Sequence, residues 1–163
     1  MAATSKIRPL TRADIRACAA ILSSSDPWKR LGEGYDFRRL LSGNRSGARS
    51  YVMTIEEKTA GFIVFNPRPV FARGGYLRAI GVESSMRKQG IGSQLMKFAE
   101  GITARHSPNF YLCVSSFNRK AQAFYRGLGY RRIGKIPDLI IQGASELVYW
   151  KRLPRLTSKS RRR

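Results

Sequence analysis

The sequence is poor in the residue types that hold metal ions. It has one histidine, His106, and two cysteines, Cys18 and Cys113, which lie far apart and outside any Cys-x-x-Cys spacing. Zinc and iron sites need several such ligands at short, regular spacings, so metal chemistry is not expected. The chain also lacks any apolar run near the ~20 residues that span a bilayer, and its first ten residues hold no long apolar stretch. We therefore expect neither membrane insertion nor secretion, and a cytoplasmic protein is the simplest expectation.

Acidic residues are also scarce. Asp and Glu number 10 against 31 Lys and Arg, which gives a formal net charge of +21 at pH 7. A field of this sign attracts phosphate-rich and other anionic partners, and it predicts binding that weakens as salt is added. Because 42% of the residues are hydrophobic and 10% are aromatic, the composition is that of a folded chain rather than a disordered one.

The length and composition indicate one domain followed by a short tail. A chain of 163 residues falls within the ~100 to 200 residues usual for one domain. The composition changes clearly only after Trp150, because seven of the residues at 151–163 are Lys or Arg and none is acidic. We expect residues 1–153 to form the domain and residues 154–163 to be a flexible basic tail. The sequence leaves open whether the protein is a monomer or a homodimer.

Hydrophobic periodicity predicts a mixture of helices and strands. The predicted strands cover residues 6–10, 50–55, 60–65, 75–82, 110–114, 130–136 and 146–150. Thr11 and Asp14 resemble a capping box at the start of a first helix, and further helices are predicted at 36–41, at 90–105 and after the N-cap Asn118. Asn66, Pro67 and Pro69 are expected to end the strand that begins at Ala60.

The segment that leaves the predicted strand 75–82 has the features of a phosphate-binding turn. It leads directly into the start of a helix, where unpaired backbone amides and about half a positive charge favour an anion. Gly90 and Gly92 allow the backbone to approach a ligand without a Cβ atom in the way, and Arg87 and Lys88 add formal charge. The alternative is a tight strand-to-helix turn that carries two solvated charges.

Two common nucleotide motifs do not fit this turn. A Rossmann G-x-G-x-x-G motif would need Gly or Ala where the chain has Leu95, and a P-loop would need Gly-Lys-Ser/Thr, which is absent. The turn instead resembles the Arg/Gln-x-x-Gly-x-Gly/Ala turn of the GNAT (general N-acetyltransferase) superfamily, present as R-K-Q-G-I-G at 87–92.

A second GNAT pattern lies further along the chain. The pattern Asn-x-x-Ala-x-x-x-Tyr-x-x-x-Gly-Tyr/Phe is matched by Asn118, Ala121, Tyr125, Gly129 and Tyr130. The similarity that includes both motifs covers about residues 75–150. It implies an α/β (α+β mixed) acyl-CoA N-acyltransferase fold. That fold has a mixed, mostly antiparallel sheet of six to seven strands, about four flanking helices and a splay between the fourth and fifth strands.

The resemblance also implies acetyl-CoA as the acyl donor. The pantetheine arm would lie in the splay, bonded to the backbone of the fourth strand at Ile80 and Val82. Asn118 would contact the cofactor or an ordered water, although its role as an N-cap is sufficient to explain it. The pyrophosphate would be wrapped by the turn, whose residues are Arg87, Lys88, Gln89, Gly90, Ile91, Gly92 and Ser93.

The implied reaction is direct attack of a primary amine on the acetyl group through a tetrahedral intermediate, with Tyr125 as the general acid. A phenol with a pKa of about 10 stays protonated at neutral pH and can protonate a thiolate, whose thiol has a pKa of about 8.5. The alternative for Tyr125 is packing beside Phe124. Some relatives carry a glutamate on the fifth strand where this chain has Cys113, so the general base is left open. A water chain to bulk solvent is the favoured hypothesis, and a Cys113–His106 dyad is the weaker one.

The acceptor amine is not fixed by the sequence. Trp28, Tyr35 and Tyr149 are candidates to line its pocket, with core packing as the alternative for each. A net charge of +21 would repel a small polyamine. A protein N-terminus, for example on an RNA-containing assembly such as the ribosome, or a small amine with its own carboxylate is therefore favoured. The rival interpretation is a non-catalytic nucleic-acid- or ribosome-binding module on the same scaffold, which leaves the turn and Tyr125 unexplained.

Overall fold

A computed structural model describes residues 4–31, 37–42 and 47–154. In this part of the chain, seven strands form one mixed sheet in the order β1-β2-β3-β4-β5-β7-β6. The strands are β1 (Ser5–Pro9), β2 (Arg49–Ile55), β3 (Lys58–Phe71), β4 (Gly74–Val82), β5 (Asn109–Ser115), β6 (Arg131–Pro137) and β7 (Ser145–Arg152). The helices are α1 (Ile15–Ser23), α2 (Trp28–Leu31), α3 (Phe37–Ser42), α4 (Ile91–Thr103) and α5 (Arg119–Gly127). None of the helices in these ranges is long and apolar enough to cross a membrane.

Helices cover both faces of the sheet. On one face, Leu95 and Met96 of α4 pack on Phe110 of β5, and all three side chains are fully buried. On the other face, Leu22 of α1 packs with Phe62 of β3 in a second buried cluster. Burial of each side chain of this size stabilises the fold by about 1.5 to 3 kcal/mol relative to exposure. These contacts hold α4 and α1 against opposite faces of the sheet.

The sheet splays between β4 and β5, as the family resemblance implies. These two strands run parallel and pair only at Gly75 with Phe110 and at Tyr76 with Tyr111. Beyond those pairs the strands diverge, so a gap opens toward their carboxyl ends. Next to the gap, β4 has one residue more than β3, since Val64 pairs with Ala79 and Phe65 pairs with Leu77. Such a bulge bends a strand and changes the direction of its side chains and backbone groups.

The prediction that Asn66, Pro67 and Pro69 end a strand is wrong, because β3 continues to Phe71. The pairing of β3 with β4 is irregular between Asn66 and Phe71. Proline is tolerated there because an interrupted ladder does not require every backbone N–H. The short helix α2 after Pro27 is not among the helices that the sequence predicts.

The predicted capping box positions α1 and the chain that follows it. Asp14 accepts a hydrogen bond from the Thr11 amide (2.8 Å) and forms two hydrogen bonds with the guanidinium of Arg8 (2.7 and 2.8 Å). The bonds from Arg8 lower the pKa of the Asp14 carboxyl to about 2. This pair ties β1 to the start of α1, whose far end leads to one wall of the gap.

Candidate active site

A groove of about 690 Å³ occupies the gap between β4 and β5. One wall is β4 over residues 76–82, and the other is formed by the inner face of α5 and the end of β5. The start of α4 and the chain at 24–29 border its mouth. The groove therefore lies where the strands diverge and a helix begins. Backbone N–H and C=O groups that would otherwise be hydrogen-bonded within the sheet or the helix can bind a ligand there.

The turn before α4 presents free amides to this groove. Gly90, the N-cap, has φ 79°, a left-handed conformation that glycine adopts without strain. The first hydrogen bond of the helix runs from the Gln94 amide to the Gly90 carbonyl (3.0 Å). Among the described residues, no protein atom accepts a hydrogen bond from the amides of Ile91, Gly92 or Ser93. These three donors, at the positive end of a 13-residue helix, form a site for an anion.

Packing around Gly92 leaves little room for a side chain. A Cβ atom at this position would lie 3.2 Å from the ring of Phe124 and 3.7 Å from Val82. Arg87 fixes the turn from the other side, because Nη2 donates to Ser25 Oγ (3.1 Å) and Nε donates to the Val82 carbonyl (3.3 Å). The backbone of the turn thus lies close to the groove, with Arg87 held by hydrogen bonds at one end and Gly92 packed beside Phe124 at the other.

Tyr125 lies on the inner face of α5 and lines the groove. Its side chain is 6% exposed and makes edge-on ring contacts with Phe124 (5.1 Å between centroids) and Tyr130 (5.9 Å). Burial raises the pKa of the phenol, so the hydroxyl keeps its proton at neutral pH. No described residue forms a hydrogen bond with this hydroxyl. The ring of Tyr125 thus packs against its aromatic neighbours, while its protonated hydroxyl belongs to a residue that lines the groove.

A carboxylate, Glu146, also lines the groove. It lies near the start of β7, directly opposite Ser115 of β5, and is 4% exposed. Ser115 Oγ donates a hydrogen bond to Glu146 Oε1, while Oε2 has no hydrogen-bond partner among the described residues. Burial raises the pKa of Glu146, and the hydrogen bond from Ser115 opposes this shift in part. No described Lys or Arg forms an ion pair with Glu146, so this carboxylate is an unneutralised acid in a chain of net charge +21.

Sequence reasoning missed Glu146 and treated it as the start of a strand. The available signal is that Glu146 is the one acid in the otherwise apolar run Glu-Leu-Val-Tyr-Trp at 146–150. A buried charged residue in a strand is uncommon unless it is paired or functional. Cys113 lines the groove as well, but its electrostatic neighbours are Tyr76 and Glu146 rather than His106.

The other predicted site residues are placed as follows. Ile80, Val82 and most of the turn line the groove, while Gln89 is exposed and does not. Asn118 lines it too, where Oδ1 caps α5 by accepting from the Ala121 amide (3.1 Å) and Nδ2 donates to the Asp26 carbonyl (3.3 Å).

Of the two predicted pocket aromatics that lie within the described residues, Trp28 lines the groove and Tyr149 does not. Trp28 is half-buried at its mouth. Tyr149 is 1% exposed in the core between the sheet and α4, so the expectation that it lines the pocket is corrected. Its side chain points to the opposite face of β7 from Glu146, because side chains alternate along a strand. Tyr35 lies outside the described residues.

Comparison with known protein families decides the assignment. The profile of the acetyltransferase (GNAT) family matches residues 15–130. The chain belongs to the GNAT acetyltransferase family. This match confirms the resemblance drawn from the two sequence motifs, and it spans both the turn at 87–92 and the helix that carries Tyr125. No curated protein matches the chain.

Solved GNAT structures share the fold of this chain at low sequence identity. The ribosomal-protein-S18-alanine N-acetyltransferase from Escherichia coli superposes with a TM-score of 0.75 at 17% identity, over 96% of this chain and 99% of that one. Ard1 from Thermoplasma volcanium gives 0.75 at 21% identity, over 92% and 98% of the two chains. An aminoglycoside 6′-N-acetyltransferase complexed with coenzyme A gives 0.73 at 17% identity, over 94% and 99%. At these identities the likeness shows the GNAT fold, and the two names that specify an acceptor, a ribosomal-protein alanine and an aminoglycoside, specify different ones.

Proposed function

We propose that this GNAT protein is an acetyl-CoA-dependent N-acetyltransferase that acts on a primary amine. The observation that carries the proposal is one groove that, among the described residues, has three free amides at its mouth and, further along, a protonated phenol and a carboxylate that forms no ion pair with Lys or Arg. Acetyl-CoA, when bound, supplies an activated acetyl thioester. The chain supplies anion-binding donors, a proton donor and a proton acceptor.

The residues present fit coenzyme A. The amides of Ile91, Gly92 and Ser93 would hold the pyrophosphate, and Arg87 and Lys88 beside them would add positive charge. Phosphate binding at such a site is independent of side-chain identity, which agrees with the glycine at position 92. Further in, the edge of β4 that faces the splay, including Ile80 and Val82, offers backbone groups for the amides of the pantetheine arm. The family match and the related structure complexed with coenzyme A support this assignment.

The two ends of the proton path are Glu146 and Tyr125. Glu146 Oε2 accepts the proton of the attacking amine, and Ser115 holds the carboxylate in place through Oε1. Tyr125 Oη would supply the proton that the leaving thiolate takes up, since burial keeps the phenol protonated. Glu146 takes the place of the water chain that the sequence alone favours, because a buried carboxylate already faces the groove.

An α-amino group is the acceptor that the charges favour. Its pKa of about 8 lies closer to neutrality than the value of about 10.4 for a lysine, so less energy is needed to deprotonate it. A net charge of +21 disfavours polycationic amines. We therefore propose a protein N-terminus, or a small amine that carries its own carboxylate, as the acceptor class.

A panel of acceptors tests the proposed function. Thiol release from acetyl-CoA would be followed with N-terminal peptides, the same peptides with a blocked α-amine, free amino acids and polyamines. Peptides with a free α-amine should give turnover, and blocking that amine should remove it. Absence of both acetyl-CoA binding and turnover would instead support the non-catalytic binding module.

Replacement of Tyr125 tests the proton donor. Tyr125→Phe should lower kcat by about 10²-fold or more, because general acid–base groups contribute about 10²- to 10⁴-fold. The ring contacts remain, so affinity for acetyl-CoA should change little. Steady-state kinetics combined with equilibrium binding of acetyl-CoA would separate the two effects.

Tyr130→Phe is the matched control for this prediction. Tyr130 is buried near Tyr125, but its hydroxyl donates to Glu100 Oε1 (2.9 Å) and it does not line the groove. Its loss should reduce thermal stability and leave kcat intact. Equal kcat values for Tyr125→Phe and the wild type would remove Tyr125 from the mechanism.

A further inference from the structure

A second pocket, of about 530 Å³, lies on the opposite side of α5 from the groove. It is bounded by the outer face of α5, the chain after β5 and strands β6 and β7. The groove and this pocket share no lining residue. Four of its lining side chains are cationic, and they are Arg119, Arg126, Arg132 and Lys135.

The cations of this pocket have no anionic partners within the part of the chain that the structure describes. The ion pairs in the described part of the chain are Arg8–Asp14, Arg30–Asp26 and Lys151–Glu100, and none of them involves the pocket. Residues 119–137 contain six Lys or Arg and no acid. All four pocket cations are exposed. Because like charges gathered around one concavity repel one another, an anion that bridges them removes an unfavourable interaction.

The spacing of the charges favours a chain of anions over a single one. Arg119 and Arg126 lie on one face of α5 and are seven residues apart, which is about 10 Å along the helix axis. Nucleic acids carry a charge about every 3.4 Å along each strand of a duplex, so this distance spans about three phosphates. Arg132 and Lys135 extend the positive surface onto β6.

The remaining lining groups suit a phosphodiester backbone. Three of the four cations are arginines, whose planar guanidinium matches a pair of phosphate oxygens. Ser116 and Gln122 line the same pocket, and such side chains commonly contact phosphate and sugar. Gln122 Nε2 also donates to the Ser116 carbonyl (2.9 Å), which fixes α5 relative to the chain after β5. No aromatic side chain among the described residues lines the pocket, so we do not assign base stacking a part in the proposed binding.

We propose that this pocket binds the phosphodiester backbone of a nucleic acid without sequence preference. Such binding would hold the enzyme near nucleic-acid-containing acceptors while the groove on the other side of α5 stays open. The proposal is independent of the acetyltransferase reaction, because neither site uses the residues of the other.

Charge-matched variants test the proposal. Arg119, Arg126 and Arg132 would all be replaced by Gln in one variant, and in the control the exposed Arg12, Arg16 and Arg105 would be replaced by Gln. Both changes remove three positive charges, so the two variants differ only in where the charge is lost. Binding of fluorescently labelled single-stranded RNA, and of DNA of the same length, would be measured by anisotropy over a range of salt concentrations.

The pocket variant should bind RNA at least about tenfold more weakly than the control variant. The plot of log affinity against log salt has a negative slope, and the magnitude of this slope should decrease by about 2 in the pocket variant. Each of the three lost phosphate contacts removes about 0.7 for single strands. Thermal unfolding and turnover of acetyl-CoA with a free amine should match the wild type. Saturating coenzyme A should leave RNA affinity unchanged. Equal affinities for RNA and DNA would show that the pocket contacts the phosphates alone. Tighter binding of RNA would show that it also contacts the 2′-hydroxyl groups.

Three results would overturn the proposal. One is equal RNA affinity of the pocket and control variants, which would assign binding to overall charge. Another is displacement of RNA by inorganic phosphate at low concentration, which would indicate a site for a small anion. The third is equal competition by polyglutamate of the same charge, which would indicate an acidic protein as the partner.

Discussion

Gly92→Asp should abolish acetyl-CoA binding while the chain stays folded. The new side chain would start 3.2 Å from the ring of Phe124 and would lie beside the free amides at the start of α4. Like charges about 4 Å apart near a protein surface repel by about 4 kcal/mol, which is nearly three decades of affinity. The same carboxylate stabilises the first turn of a helix, so the fold should tolerate it. Calorimetric titration with acetyl-CoA and circular dichroism measure the two effects.

Gly101→Asp is the control for this substitution. Gly101 lies on the same helix, and no atom other than those of its chain neighbours and the adjacent helix backbone lies within 4 Å of the place where its Cβ would stand. The two variants add the same charge to α4 and differ in distance from the proposed pyrophosphate site. Gly101→Asp should bind acetyl-CoA as the wild type does. If Gly92→Asp also kept its affinity, the free amides would not be the binding site for the pyrophosphate.

The parts of the site that depend on local sequence were predictable. The turn and the start of α4 follow from Gly90, Gly92 and the helical spacing of apolar residues, and the structure has α4 at Ile91–Thr103. The N-cap at Asn118 is likewise a property of the adjacent residues, because the bond from the Ala121 amide closes within one turn.

The acidic part of the site was not predictable, because it depends on strand pairing between distant segments. Glu146 faces the groove only because β7 pairs with β5 in the register that places it opposite Ser115, 31 residues earlier in the chain. The same register explains the correction at Tyr149. Residues three apart on a strand point to opposite faces, so a groove-facing Glu146 requires a core-facing Tyr149.

The second pocket depends on tertiary placement in the same way. Its cations come from α5 and from β6, and the sequence shows them only as part of a general excess of positive charge. On α5, Arg119 and Arg126 lie on a different face of the helix from Tyr125 and Ala121, which face the groove. Net charge therefore predicts attraction to anions, whereas the location of the unpaired cations requires the packing of the helix on the sheet.

Glu146→Gln should lower kcat/KM by about 10²- to 10⁴-fold, the usual contribution of a general base. Because burial raises the pKa of Glu146 above its ordinary value of 4.5, the wild-type kcat/KM should fall as the pH decreases through that raised pKa. The variant has no carboxylate to titrate, so this acidic limb should disappear from its profile. A pH series of kcat/KM with an α-amine acceptor measures both effects, and an unchanged profile would exclude Glu146 as the base.

Stability should change in the opposite direction to activity. A carboxyl whose pKa is higher in the folded state holds its proton more tightly there, so the free energy of unfolding falls as the pH rises through the interval between the unfolded and folded pKa values. Glutamine removes this cost, and Glu146→Gln should be at least as stable as the wild type at neutral pH. Glu100→Gln supplies the contrast, because Glu100 pairs with Lys151 (2.8 Å) away from the groove and its loss should reduce stability without reducing turnover. A loss of both stability and activity in Glu146→Gln would mean that Glu146 supports the fold rather than the reaction.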